Sequence, residues 1–300
     1  MSSSKNNREE KIEEWKTLVA DDRNRIKLHD AVVQEMKNLI VNEEKLHNTD
    51  NGKRDKQVFK NRIEEYENIS SDLRDLLIII SHWGTSVHRS LLTLPFKRYA
   101  SSISDTHSGN RVWYNLKWYP LHYLFYAVGI SAVASENYRC LRKLFDLRVK
   151  NPERPNDEET LPFILVKTVY QGLDDSFGEV FSSGRIPLSE HLYESLNNDI
   201  DELLYLVDDY EKYTDTFEIL LALEYVHQEV EESIGGVWGP LGRFVRQMRI
   251  KPNPLSNFID EANNQKQNWE PIKAGFFDGD FERFKEVSSK FEEWCSNIRF

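Results

Sequence analysis

Histidine is the residue most able to move protons at neutral pH, and this chain has eight in 300 residues. Two of them follow an arginine by six positions: Arg23 with His29, and Arg185 with His191. That spacing suits metal-independent cleavage of RNA, the guanidinium holding a phosphate while the imidazole shuttles a proton. The pattern is an arginine, four to six residues and a histidine, and with nineteen arginines in the chain roughly 1.5 such matches arise by chance. Pro187 interrupts the second pair, which argues against one continuous helix, so Arg23 and His29 are the candidate catalytic residues. Two further histidines follow a glutamate by three, Glu44/His47 and Glu224/His227. Residues i and i+3 share a helix face, and two such pairs plus two more glutamates would build a di-metal carboxylate site. Chance again supplies about one pair, and Glu44 borders a polar break, so no metal is expected. The sequence has no GxxxxGK[ST], no GxGxxG after a strand and no GxSxG, and the spacing of "GGVWGPLGRF" (235–244) fits no phosphate loop. No cofactor is expected.

Charge points elsewhere. The net charge is −11, which disfavours a protein that coats nucleic acid or anionic lipid. Residues 199–232 hold twelve carboxylates against one lysine, Lys212, whereas 234–259 has no carboxylate and four cations, Arg243, Arg246, Arg249 and Lys251. On a helix the three arginines, repeating at three, form one ridge preceded by Trp238 and the turn residues Gly239, Pro240 and Gly242. The ridge and Trp238 are therefore the candidate binding residues, able to grip an acidic partner or a phosphate with bidentate geometry. The alternative is that the ridge pairs with the chain's own acidic block.

The elements that must position these residues are helical. Apolar positions recur at three- and four-residue steps over 8–46, as one helix or two collinear ones, and again over 57–81. The polar stretch 47–55 between them makes a long antiparallel hairpin. The solidly apolar "LLIII" (76–80) has to be buried all round. A helix over 87–102 and a loop at 105–110 follow, and the loop is the expected domain boundary, giving 1–108 and 109–300. "YAVGISAVASENYRCLRKLF" and "WEPIKAGFFDGDFERFKEV" echo each other, each placing a small residue, a polar step and an aromatic where a helical hairpin turns. Two echoes make no fixed-period array. Residues 148–159, with two prolines and high charge, read as an exposed linker. "TLPFILVKTVYQG" reads as a buried helix with Thr160 as cap and Gly172 after its last turn. A loop is expected over 176–187, then helices from Ser189 to about 207, over 212–233, over 255–269 and over 279–298. The first residues read as a short disordered lead. Nothing alternates at period two, so the expected class is all-α, a long N-terminal hairpin followed by an irregular multi-helix domain.

The longest apolar run, 119–134, contains Pro120 and His122 and falls short of the ~20 residues that span a bilayer. Cys140 and Cys295 make no disulfide or metal spacing. A cytoplasmic protein without membrane association is expected.

Taken together, "VWYNLKWYPLHYLFYAVGISAVASENYRCLRKLF", "IPLSEHLYESL", "YEKYTDTFEILLALEY", "VWGPLGRFVRQ" and "WEPIKAGFFDGDFERF" resemble a helical region of uncharacterised bacterial proteins. It accompanies Schlafen-like, sirtuin-like or NTPase-like effectors used against phage. The resemblance covers about residues 113–290 and rests on ordered aromatic and glycine positions. It implies a non-catalytic sensing, interaction or assembly module that binds a protein partner or itself. No effector domain is recognisable in front of it. The alternatives are a HEPN-like ribonuclease using Arg23 and His29, and a nucleic-acid sensor.

Overall fold

The computed structural model describes residues 2–47, 55–103, 110–154, 156–181, 184–206, 209–230, 238–248 and 253–298. The fold is all-α, with one small hairpin among the described residues, and the chain divides into two compact units, 1–205 and 206–300. The division does not fall at 105–110, most of which lies outside the described residues. Helices on either side of that stretch share one core, as when the Tyr99 hydroxyl donates to the Lys117 carbonyl at 3.2 Å.

In the first unit α1 (Ser2–Val19) begins at once, where a disordered lead was expected. It does not run on collinearly into α2 (Arg25–His47). Asp21 caps a short 3₁₀ turn by accepting from the Arg23 N–H, and the chain doubles back. Lys11 of α1 then reaches Glu35 of α2 at 3.4 Å and Asp72 of α3 at 2.7 Å. α3 (Lys56–Trp83) starts on Asp55, whose carboxylate accepts from the N–H groups of Gln57 and Val58, and stops at Gly84. Its Leu76 to Ile80 segment is fully buried, as its all-apolar character requires. α4 (Arg89–Ile103) and α5 (Arg111–Leu116) precede α6 (Tyr119–Ala134), which has Pro120 in its first turn.

α6 packs along α3, with the Ser131 hydroxyl donating to the Ile78 carbonyl at 3.0 Å. The expected turn then leads into α7 (Tyr138–Phe145). Glu136 takes a left-handed φ of 54°, and the Asn137 amide donates to the carbonyls of Ser81 and Gly84 at 2.9 and 3.2 Å. The polar step thus ties α7 to the end of α3.

Residues 148–160 are not a linker. β1 (Arg148–Lys150) pairs antiparallel with β2 (Glu158–Thr160), Val149 opposite Glu159. The Asn151 side chain accepts from the N–H groups of Glu153 and Arg154 to turn the strands. α8 (Leu161–Leu165) passes through one π turn (Val166–Tyr170) into α9 (Gln171–Val180). The expected buried helix is present but does not stop at Gly172. A Cβ there would lie 2.1 Å from the Asn115 amide nitrogen, so this glycine permits close approach of a neighbour and ends nothing. Likewise α10 (Pro187–Leu204) begins on Pro187 and contains Ser189, with Asp174 accepting from the Leu188 N–H at 3.1 Å.

The second unit is built on α11 (Tyr210–Val230). A 3₁₀ turn (Arg243–Gln247), α12 (Pro254–Gln265), the five-residue α13 (Glu270–Ala274) and α14 (Phe281–Asn297) complete it. The second echo turns sharply between α13 and α14, with positive φ at Gly275, Phe277, Asp278 and Gly279.

Candidate binding pocket of the second unit

α11 is buried over most of its described length, Phe217 and Ile219 to Leu223 included. Three carboxylic acids nevertheless go into the interior with it: Asp215, Glu218 and Glu224. Such groups are tolerated when donors meet them. Glu224 accepts from the Phe277 N–H at 2.6 Å, and Glu218 from the Arg243 N–H at 2.6 Å. Gly242 makes the second contact possible, since a Cβ there would lie 2.2 Å from a Glu218 oxygen.

Asp215 differs. It is 4% exposed, and its Oδ1 is buried with no hydrogen-bond donor. Burial, followed by the nearby charges of Glu218 and Glu211, pushes its pKa up to about 7, against a smaller opposing pull from Arg243. A cavity of about 330 Å³ opens over it. Glu211, Asp215 and Thr216 of α11 form one wall, Gln247 closes an edge, and Asn257, Phe258 and Glu261 of α12 face them. Glu261 is held by Trp269 Nε1 and Gln265 Nε2, each at 3.2 Å. The rim carries one cation, Lys212, against the three acids.

The arginine ridge lies beside this pocket. Arg243 folds back on the acidic block as its own counter-charge, its Nη2 standing 3.4 Å from Glu211 Oε1 with 12% of the side chain exposed. Arg246 is exposed on the same short turn, which is 3₁₀, so residues three apart superpose. Arg249 and Lys251 lie outside the described residues, as does 235–237. Trp238 packs edge-on against Tyr225, ring centres 5.5 Å apart.

The structure does not join Arg23 and His29 in a cleft. Arg23 is 90% exposed and its hydrogen bonds go to Asp21, while the exposed His29 ring faces Asp30 at 3.4 Å. His191 instead pairs with Glu67 at 2.7 Å, and the Tyr119 hydroxyl donates to the same Glu67 oxygen at 2.5 Å. Glu224 and His227 serve the strained turn. As Glu224 holds Phe277, His227 Nδ1 accepts from Arg283 Nε, and Nε2 lies 3.2 Å from Asp278. The i, i+3 spacing therefore clamps a left-handed loop. The side chain of His47 lies outside the described residues. Among the described residues no group of three or more His, Cys, Asp or Glu is arranged to hold a metal.

A second charged cluster, in the first unit, was not visible from spacing because its members come from four helices. Arg74 is buried and donates to Asp75 Oδ1 at 2.8 Å and to the Tyr123 hydroxyl at 2.7 Å, and it meets Asp199 at 2.5 Å. Arg8 bridges Asp75, Asp199 and Glu202 at 2.6, 3.1 and 2.7 Å. Burial opposes charge on Arg74, but Tyr123, Asp75 and Asp199 outweigh it and hold the guanidinium above its ordinary pKa.

No described helix is long and apolar enough to cross a membrane. No protein-family model, curated protein or solved structure matches the chain.

Proposed function

We propose that this chain is a non-catalytic protein-interaction module, a sensing or assembly component of a cytoplasmic bacterial anti-phage system. The observation that carries the reading is the concave, mixed-charge face of the second unit, where an acid-lined cavity adjoins a turn presenting Arg246. Complementary charge of this kind selects and orients a protein partner more than it adds affinity. The first unit offers a further surface at one end. There the Thr85 hydroxyl donates to Asp22 at 3.5 Å, joining the α1–α2 turn to the α3–α4 turn. Ile26, Trp83 and Val87 are exposed on these segments, Ile26 to 68%. The resemblance over 113–290 supplies the defence setting.

Light-scattering mass of the purified chain at low and high salt, alone and mixed with the products of neighbouring genes, tests the reading. A stable hetero-complex or a salt-sensitive oligomer is expected. A monomer at both salts that ignores every neighbour contradicts it.

A further inference from the structure

The cavity on α11 has a composition that narrows what it can hold. Its floor is a buried carboxyl group with an oxygen that no protein donor reaches. Around that floor stand Glu211 and Glu261, with Glu218 just behind, against Lys212 at the rim and Arg243 already engaged with Glu211. An anion is repelled from such a place. The side-chain arrangement of the described residues offers no metal-holding group. Phe258, buried in α12, and Pro254 give the opening an apolar flank, and Gln247 and Asn257 add amide oxygens. The volume, about 330 Å³, matches the lower end of small-ligand sites, on the order of 300 Å³.

We propose that this cavity binds an alkyl cation, an ammonium or guanidinium group on an aliphatic stem, with Asp215 as its counter-charge. The cationic head supplies the opposite charge that the acid-rich lining lacks, and the stem lies along Phe258 and Pro254. Buried carboxylates are kept where a partner completes them, because leaving one incomplete costs stability. The two sources of such a group are a free amine and the lysine or arginine side chain of a protein partner. The inference rests on the second unit being a contact surface, and it names the chemistry that surface recognises.

The test is calorimetric titration of the full chain at about 0.15 M salt. Its two probes are agmatine and a blocked lysine–arginine dipeptide, each at pH 6 and pH 8 and in buffers of different ionisation enthalpy. Binding of either probe is expected, with a proton released at pH 6 as Asp215 ionises against the cation. Asp215→Asn should weaken binding at least about tenfold. Glu261→Gln, an exposed change that leaves the core intact, should weaken it about threefold. Thermal melts of both variants establish that they fold. Agmatine binding alone assigns a free amine, and dipeptide binding assigns a partner's side chain. Binding of neither, or binding unchanged in both variants, overturns the proposal. Because the probes are small cations, their failure leaves the light-scattering result for protein partners to stand separately. A failed complex with successful agmatine binding would keep the pocket and remove the assembly reading.

Discussion

Two charged clusters, one in each unit, treat buried charge in opposite ways. In the first, Arg74 and Arg8 alternate with Asp75, Asp199 and Glu202, so that each of these five groups meets an opposite charge within 3.1 Å. In the second, acids outnumber cations around Asp215, which lines an open cavity and keeps a buried carboxyl oxygen without a donor. Both arrangements put ionisable groups where desolvation is costly. The contrast separates a network that is finished within its own unit from a site that another molecule completes. A closed network marks architecture, and an open one marks binding.

The largest way to break this comparison is Arg74→Met. Removing the buried cation leaves Asp75 and Asp199 with Arg8 alone to answer them, and a loss of about 3 kcal/mol in denaturant unfolding is expected. A loss below about 1 kcal/mol would show the network to be dispensable.

Asp215→Asn should act in the opposite direction. The folded state raises the Asp215 pKa to about 7 from an ordinary value of 3.8. The stability associated with its protonated form is therefore complete below pH 4 and lost as pH rises to 7. The variant escapes that loss. It should be more stable than the parent by roughly 2 kcal/mol at pH 8, with the difference fading as pH falls toward 4.

His122 sharpens the contrast from within the first unit. Both of its ring nitrogens are buried without partners, and burial alone lowers its pKa to about 3. Its neutral form contributes stability above pH 6.5 that is lost as pH falls toward 3. Relative to His122→Leu, the parent should lose about 2 kcal/mol between pH 8 and pH 5. Equal pH profiles for parent and variant would show that the ring takes up a proton as readily in the folded chain as in the unfolded one.

The smallest effects belong to the exposed residues. Arg23→Ala and His29→Ala should each shift stability by less than about 0.5 kcal/mol. Neither should alter RNA cleavage by the purified chain, which a gel assay checks.

The helices were largely legible because their signals are local. Apolar periodicity, the polar stretch 47–55 and the two-residue polar step at Glu136 and Asn137 each act over a few residues of chain. The misreadings came from residues whose role lies across space. Gly172 looks like a helix stop and is a notch for Asn115. Residues 148–159 look like a linker because pairing between three-residue strands has no short-range pattern to display. The charge block at 199–232 was visible, and so was the chance that the arginines answer it, as Arg243 does. What spacing did not reveal is which acid goes unanswered. Asp215 and Glu218 sit three apart on one face of an apolar helix, and only the loop conformation at Gly242 decides that Glu218 receives an N–H while Asp215 does not.

The most direct measurement is the side-chain carboxyl titration of Asp215 by carbon-detected NMR, with Asp215→Asn identifying the resonance, in the absence and presence of saturating agmatine. The account predicts a midpoint near 7 in the free protein, falling by more than about one pH unit when the cation is bound. A midpoint near the ordinary aspartate value in both samples would contradict it, because Asp215 would then already have its counter-charge within the chain.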